Sequence, residues 1–244
     1  MENFFAGMFS PEWFAALSGI LLMDLILSGD NAIMIALASK NLPEHHRGRV
    51  IVIGGVGAVL IRVGCTLFAT GMLAVPYLTF IGGIALLFIA VHLLAEDKAE
   101  DGREKKPHAP TKFWAAVRTI LIADFIMSLD NILSLAGIAN TVPEGKWSLI
   151  ICGLMISIPI VLCGAQLFLM IMLRVPVVID IGAAVLGYTA AELMLGDQAM
   201  GVYLEPYALP IKVLFVLGVL VLGNYLQKRA KQRAAAEHAG TRQD

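Results

Sequence analysis

The sequence predicts an all-α membrane protein: seven transmembrane helices, built as two inverted three-helix repeats plus a C-terminal helix. Three observations carry this. Of 244 residues, 58% are hydrophobic and 15% charged, with mean hydropathy +0.79. Soluble domains carry about 25% charged residues. Seven apolar segments reach the ~20 residues needed to span a bilayer. Finally, residues 13–95 lie over 113–195 without a gap at a shift of 100, with 25 identities in 83 positions.

The predicted spans are about 13–38, 50–73, 77–95, 114–139, 148–173, 177–195 and 207–227. Ser10-Pro11-Glu12 reads as an N-cap, a first-turn proline and a dipole-compatible acid for the first helix. Ala74-Val75-Pro76 and Arg174-Val175-Pro176 are tight links that leave room only for helical hairpins. Gly54, Gly55 and Gly57, with Gly64, predict close helix approach by the second span. The chain divides into a first repeat (1–95), a polar cytoplasmic linker (96–112), a second repeat (113–195), the seventh span with its preceding link (196–227) and a basic tail (228–244).

Basic residues set the orientation. Lys40, Arg47 and Arg49 fall in link 39–49, and Lys98, Arg103, Lys105, Lys106 and Lys112 in link 96–112. Lys228, Arg229, Lys231 and Arg233 open the tail, whereas link 196–206 has no Lys or Arg. This alternation predicts an outside N-terminus and a cytoplasmic C-terminus; link 140–147, with Lys146 balanced by Glu144, departs from it. The start of the chain, Met1 to Ser10, lacks the basic region of a cleavable signal. Cys65, Cys152 and Cys163 all lie in apolar runs and are expected to pack rather than pair. No basic stripe with interleaved aromatics speaks for nucleic-acid binding.

The identities keep Asp24/Asp124, Ser28/Ser128, Asp30/Asp130, Asn31/Asn131, Pro43/Pro143, Glu44/Glu144, Pro76/Pro176 and Gly82/Gly182 in one register. Apolar composition alone would not align polar, Pro and Gly positions. Each copy has three predicted spans, an odd number, so the second begins on the opposite side of the membrane. Inverted repeats of this kind build many secondary transporters, with the site near the midplane between copies.

Four carboxylates inside hydrocarbon-length helices are costly unless something cationic or aqueous meets them, and are functional candidates by default. At 100° per residue Asp24 and Asn31 share a face about 20° wide, whereas Asp30 lies about 120° from Asp24. Either each Asp has its own role, or the helix breaks near Ser28-Gly29, where Gly lowers the cost; Leu129 makes a break less expected in the second copy. Asp24, Asp30, Asn31, Asp124, Asp130 and Asn131 offer hard oxygen ligands for Mn²⁺, Mg²⁺ or Ca²⁺; the structural reading is that they tie helices together. Asp24 and Asp124 could meet across the pseudo-axis, and so could Asp30 and Asp130.

Ser28 and Ser128 accompany them. His92 and Glu192, at equivalent positions, could complete a cation site, relay protons or serve as packing polar groups. Thr66 and Gln166 are an equivalent pair of neutral oxygens. Arg62, with Leu162 as its counterpart, is expected to be an internal counter-ion for one carboxylate that opposes simultaneous cation binding. Asp180 is expected near the cytoplasmic side, paired with Arg174, and His45-His46 in a solvated link. No nucleotide-binding loop is present, so ion gradients, with protons the simplest, would drive transport.

The motifs Leu27-Ser28-Gly29-Asp30-Asn31-Ala32 and Met127-Ser128-Leu129-Asp130-Asn131-Ile132 resemble those of the TerC family of integral membrane proteins, over about residues 11–227. The bacterial branch associated with manganese-responsive RNA switches is the most similar. The resemblance implies a lysine-exporter-like fold in the bacterial cytoplasmic (inner) membrane and export of divalent metal, chiefly Mn²⁺, as substrate rather than cofactor. It carries over Asp24, Asp30, Asn31, Asp124, Asp130 and Asn131 as site residues. Other relatives are tied to tellurite resistance, to metal delivery to secreted proteins or to membrane-protein insertion. The alternative reading is therefore an accessory factor with a secretion-machinery partner; homo-oligomerisation is compatible with both. An intramembrane enzyme is not expected, because no nucleophile or substrate groove is legible.

Overall fold

A computed structural model of the chain describes residues 8–67, 75–96, 109–139, 141–142 and 145–240. All regular structure among them is helical. In chain order the helices are α1 (Pro11–Leu27), α2 (Gly29–Ser39), α3 (Glu44–Leu67), α4 (Leu78–Glu96), α5 (Ala109–Ala139), α6 (Lys146–Arg174), α7 (Val177–Leu195), α8 (Gly201–Leu204) and α9 (Ala208–Gly240). One 3₁₀ turn, Glu205–Tyr207, joins α8 to α9.

Local chemistry sets several boundaries. The Trp13 N–H donates to Ser10 Oγ at 3.1 Å, Pro11 stands in the first turn and Glu12 follows, as the sequence predicts. The predicted first span is two helices bent by 45° at Ser28. The next helix starts at Glu44, six residues before the predicted span, so His45 and His46 stand on its first turn rather than in a link. There the His46 ring meets Phe113 at the start of α5, with centroids 5.6 Å apart. The predicted 177–195 span coincides with α7. The final helix runs well past residue 227 to Gly240.

Five helices among the described residues are long and apolar enough to cross a membrane, or six if α1 and α2 form one broken span. The chain is thus a multi-pass helical protein. The expected fourth crossing, α5, is not among them; side chains from Asp130 onward in α5 are largely outside the described residues.

The core lies where the helices cross. α1 and α2 pack on α6, α3 packs on α5, and α4 packs on α7; α9 covers α4 and α7 from outside. Gly54 and Gly57 of α3 let Ile120 and Leu121 of α5 approach, and Gly153 of α6 admits Ile20 of α1. Among the described residues, a Cβ on Gly64 would meet nothing within 4 Å. Gly83 is the tightest case in α4: a Cβ there would stand 2.6 Å from the Ala190 carbonyl oxygen of α7.

Asp197, between α7 and α8, fastens one end of this layer. Its carboxylate accepts from Thr79 Oγ1 (2.9 Å) and Phe80 N–H (3.2 Å) at the start of α4, and from Ala199 and Met200 N–H (both 3.0 Å). Burial alone would raise its carboxyl, but these four hydrogen bonds together outweigh burial and hold it below the ordinary carboxylate range.

Candidate functional site

The site forms where the two motif-bearing segments cross α3. Arg62 of α3 is 5% exposed and reaches both. Its Nη1 donates to Asp24 Oδ1 of α1 at 2.7 Å, and its Nη2 to Asp124 Oδ1 of α5 at 3.1 Å. Nε donates to Ser128 Oγ at 3.3 Å, and that hydroxyl lies 3.3 Å from Asp124 Oδ2, to which it donates. Thr66, one turn on, donates to the Arg62 carbonyl at 2.8 Å. Asp24, Asp124, Ser128 and Thr66 are all buried. One guanidinium therefore serves two carboxylates, which leaves the triad a formal charge of −1. Asp24 and Asp124 thus come together through Arg62, which serves two carboxylates where the sequence led to the expectation of one.

Asp30 and Asn31 follow the break, in the first turn of α2. The Asn31 N–H donates to Asp30 Oδ1 at 2.8 Å, and Asn31 Nδ2 reaches the Leu27 carbonyl at 3.5 Å. Side chains thus take over groups that a continuous helix would pair with each other, the usual way Asp and Asn compete with a helix ladder. The same Asp-Asn pair sits within a continuous α5. There Leu129, 2% exposed, packs with Cys65 and anchors the helix, whereas Gly29 offers no side chain to pack. Gly29 has an ordinary helical backbone, so the missing anchor, not conformational freedom, distinguishes the copies.

Thr189 of α7 completes this edge: its Oγ1 lies 3.3 Å from Asp30 Oδ2 and 3.1 Å from the Val185 carbonyl. The sequence reading missed Thr189, whose counterpart in the first copy is Ile89. Asp30 is also within electrostatic range of Arg62. Asn31 is 1% exposed, and its Oδ1 has no hydrogen-bond partner. Ser28 is buried and spends its hydroxyl on the Leu25 carbonyl at 3.5 Å.

Other sequence candidates stand apart. His92 is exposed on α4, stacked on Phe88 and 3.1 Å from Glu96. Glu192 is half exposed and pairs with Lys212 of α9. Gln166 is exposed on α6, unlike buried Thr66. Asp180 forms no ion pair with Arg174, and its Oδ1 is buried without a partner. Cys65 is buried and Cys152 is half-buried against the cluster around Trp13 and Ile20, whereas Cys163 is exposed. Asn131 is half-buried, and the Asp130 side chain lies outside the described residues. Among the described residues no three His, Cys, Asp or Glu side chains gather as a metal cage.

A profile for the Integral membrane protein TerC family matches residues 9–235. The chain belongs to the TerC family. The "uncharacterized membrane protein YjbE" of Bacillus subtilis (strain 168) is 34% identical over 223 residues, which cover 90% of this chain and 99% of YjbE. The "uncharacterized membrane protein YkoY" of the same organism is 31% identical over 186 residues, 70% of this chain and 56% of YkoY. The "UPF0053 inner membrane protein YoaE" of Escherichia coli (strain K12) is 28% identical over 151 residues, 54% of this chain and 29% of YoaE. No solved structure matches the chain. As a TerC-family chain it is an integral, multi-pass membrane protein, and the buried Arg62 triad lies within that membrane fold.

Proposed function

We propose that this TerC-family protein is a secondary transporter that exports a divalent metal cation, most readily Mn²⁺, across the bacterial cytoplasmic membrane. The observation that carries the reading is the buried triad: Arg62 spans Asp24 and Asp124, one from each motif segment. A guanidinium and a divalent cation compete for the same oxygens. With Arg62 in place the carboxylates are satisfied; with a cation on them Arg62 must withdraw. A buried charge pair that can exchange partners is a two-state element, and a transporter needs one. Hard oxygen donors come from the same motif segments: Ser128 Oγ at the triad and the unpartnered Asn31 Oδ1 just past the break. They suit Mn²⁺, Mg²⁺ and Ca²⁺ chemistry better than that of thiophilic metals.

The proposed frame has seven crossings, as inverted repeats plus α9, with the N-terminus outside and the C-terminus cytoplasmic. The packing supports it: α1 and α2 meet α6 as α5 meets α3, and α4 meets its counterpart α7. Equivalent residues are buried alike, among them Ile20 and Ile120, Leu86 and Leu186, and Ala90 and Ala190. Proton counter-transport is the simplest coupling for a chain without an ATPase motif.

The test is Mn²⁺ flux in proteoliposomes, wild type beside Asp24→Asn, with and without a pH gradient. Flux that disappears in a variant that still inserts places Asp24 on the path, and its response to the gradient addresses coupling. Folded wild-type protein that moves no Mn²⁺ overturns the reading.

A further inference from the structure

α6 carries an exposed seam that lipid satisfies poorly. Ile156, Pro159, Cys163, Gln166 and Met170 are all exposed, at alternating spacings of three and four residues. That spacing places them along one line of the helix, the pattern of a left-handed helix pair. The opposite side of α6 packs on α1, α2 and α3, with Gly153 against Ile20, and the seam runs through a broader exposed apolar face that includes Met155, Ile160 and Leu167.

Gln166 is the polar member of this seam and has no hydrogen-bond partner among the described residues. It stands eight residues before Arg174, the basic end of α6. Eight helical residues are ~12 Å, and the middle of the 29-residue helix is only ~9 Å from Gln166, inside the ~15 Å half-thickness of the hydrocarbon. Hydrocarbon offers neither donor nor acceptor to an amide. A neighbouring transmembrane helix does, and Gln is among the residues that hydrogen-bond across such pairs.

We infer that a second copy of this chain packs on this face, α6 against α6, with Gln166 paired to its own counterpart. The amide carries donor and acceptor together, so two copies related by a two-fold axis satisfy each other. Copies inserted in one orientation share a two-fold along the membrane normal. Equal residues then meet at equal depth, so Gln166 faces Gln166 and Cys163 faces Cys163. A single polar residue in an otherwise apolar seam fixes register. The pairing would hold α6 as a fixed wall behind the bent α1–α2 pair. It does not rest on cation transport.

The native thiol provides the test. In the full chain carrying Cys65→Ala and Cys152→Ala, only Cys163 remains. In proteoliposomes at low protein-to-lipid ratio, oxidation with copper–phenanthroline is expected to give a disulfide-linked dimer, absent from the cysteine-free chain. Leu217→Cys in that cysteine-free chain places a thiol on the exposed face of α9 and is expected to give at least tenfold less dimer. Gln166→Leu beside Cys163 is expected to lower the dimer fraction at least threefold. Particle masses of the wild type in nanodiscs should include the dimer. A uniformly monomeric mass, or equal cross-linking through Cys163 and Leu217→Cys, overturns the inference. An unchanged dimer fraction in Gln166→Leu overturns the role given to the amide.

Discussion

Replacing Arg62 by methionine removes the positive charge and keeps most of the chain length. Asp24 and Asp124 are then left buried with no cation between them. Two of the lost bonds, at 2.7 and 3.1 Å, are charge-assisted, and each such bond is worth ~1.5–3 kcal/mol net. Breaking a buried pair by removing one partner costs ~3–5 kcal/mol. Both routes place Arg62→Met several kcal/mol below wild type, which for a chain of this size is on the order of a 10 °C fall in Tm. Asp24→Asn or Asp124→Asn alone costs less, because Arg62 keeps one carboxylate. The triple variant Arg62→Met/Asp24→Asn/Asp124→Asn carries no buried charge at the triad and is expected to recover most of the loss. Equilibrium unfolding in mixed micelles of rising SDS fraction, followed by Trp fluorescence, measures all four. A single Arg62→Met variant within ~1 kcal/mol of wild type, less than one charge-assisted hydrogen bond, refutes the reasoning. So does a triple variant no more stable than the single one.

Further outcomes follow from the packing. Asp197→Asn should be less stable than wild type at pH 6, because the Nδ2 group cannot accept the hydrogen bonds that Asp197 receives. Asp197 sits below its unfolded value of ~3.9, so its stabilisation is complete above that value and lost as pH falls through the lower folded one. Thermal unfolding from pH 6 to pH 3 should show this acid-side loss in wild type and not in Asp197→Asn. Gly83→Ala must push α4 away from the Ala190 carbonyl and should cost at least ~1–3 kcal/mol. Gly64→Ala meets no atom of the described residues and should be neutral or stabilising by up to ~1 kcal/mol; the same SDS titration separates the two. Asp24→Asn should abolish Mn²⁺ flux while unfolding remains cooperative, as proteoliposome uptake and unfolding on one preparation will report.

The triad was legible because its members are conspicuous: a lone arginine in an apolar run and two acidic motifs in register. The break at Ser28 was legible as one of two options, since angular spacing forbids both Asp24 and Asp30 from one face of a straight helix. His92 and Glu192 stand apart from the triad for a physical reason, and Glu192 instead ties α7 to Lys212 of α9, the packing role considered for it. Repeat register fixes which positions are equivalent, but not which face looks inward, and α4 and α7 are apolar all round. Gly82, Gly83, Leu86 and Ala90 turn α4 toward the core, so His92 points away. Thr189 and Lys212 left no trace in the repeat, because Ile89 replaces one and the other lies beyond it. Asp197 was hidden differently: its partners Thr79 and Phe80 are 118 and 117 residues away in sequence, and a cap that distant has no local signature.

In the proposed inverted-repeat frame, the asymmetry at Arg62 bears on why the two copies are joined in one chain. A pair of identical half-length subunits around a two-fold axis must place every charge twice, so its axis can carry only an even sum. Two aspartates alone would give −2; two aspartates with two arginines would give zero. Fusing the halves frees one copy to keep Leu162 where the other has Arg62. The joined chain thereby holds an odd charge at its centre, a value closed to any symmetric ancestor.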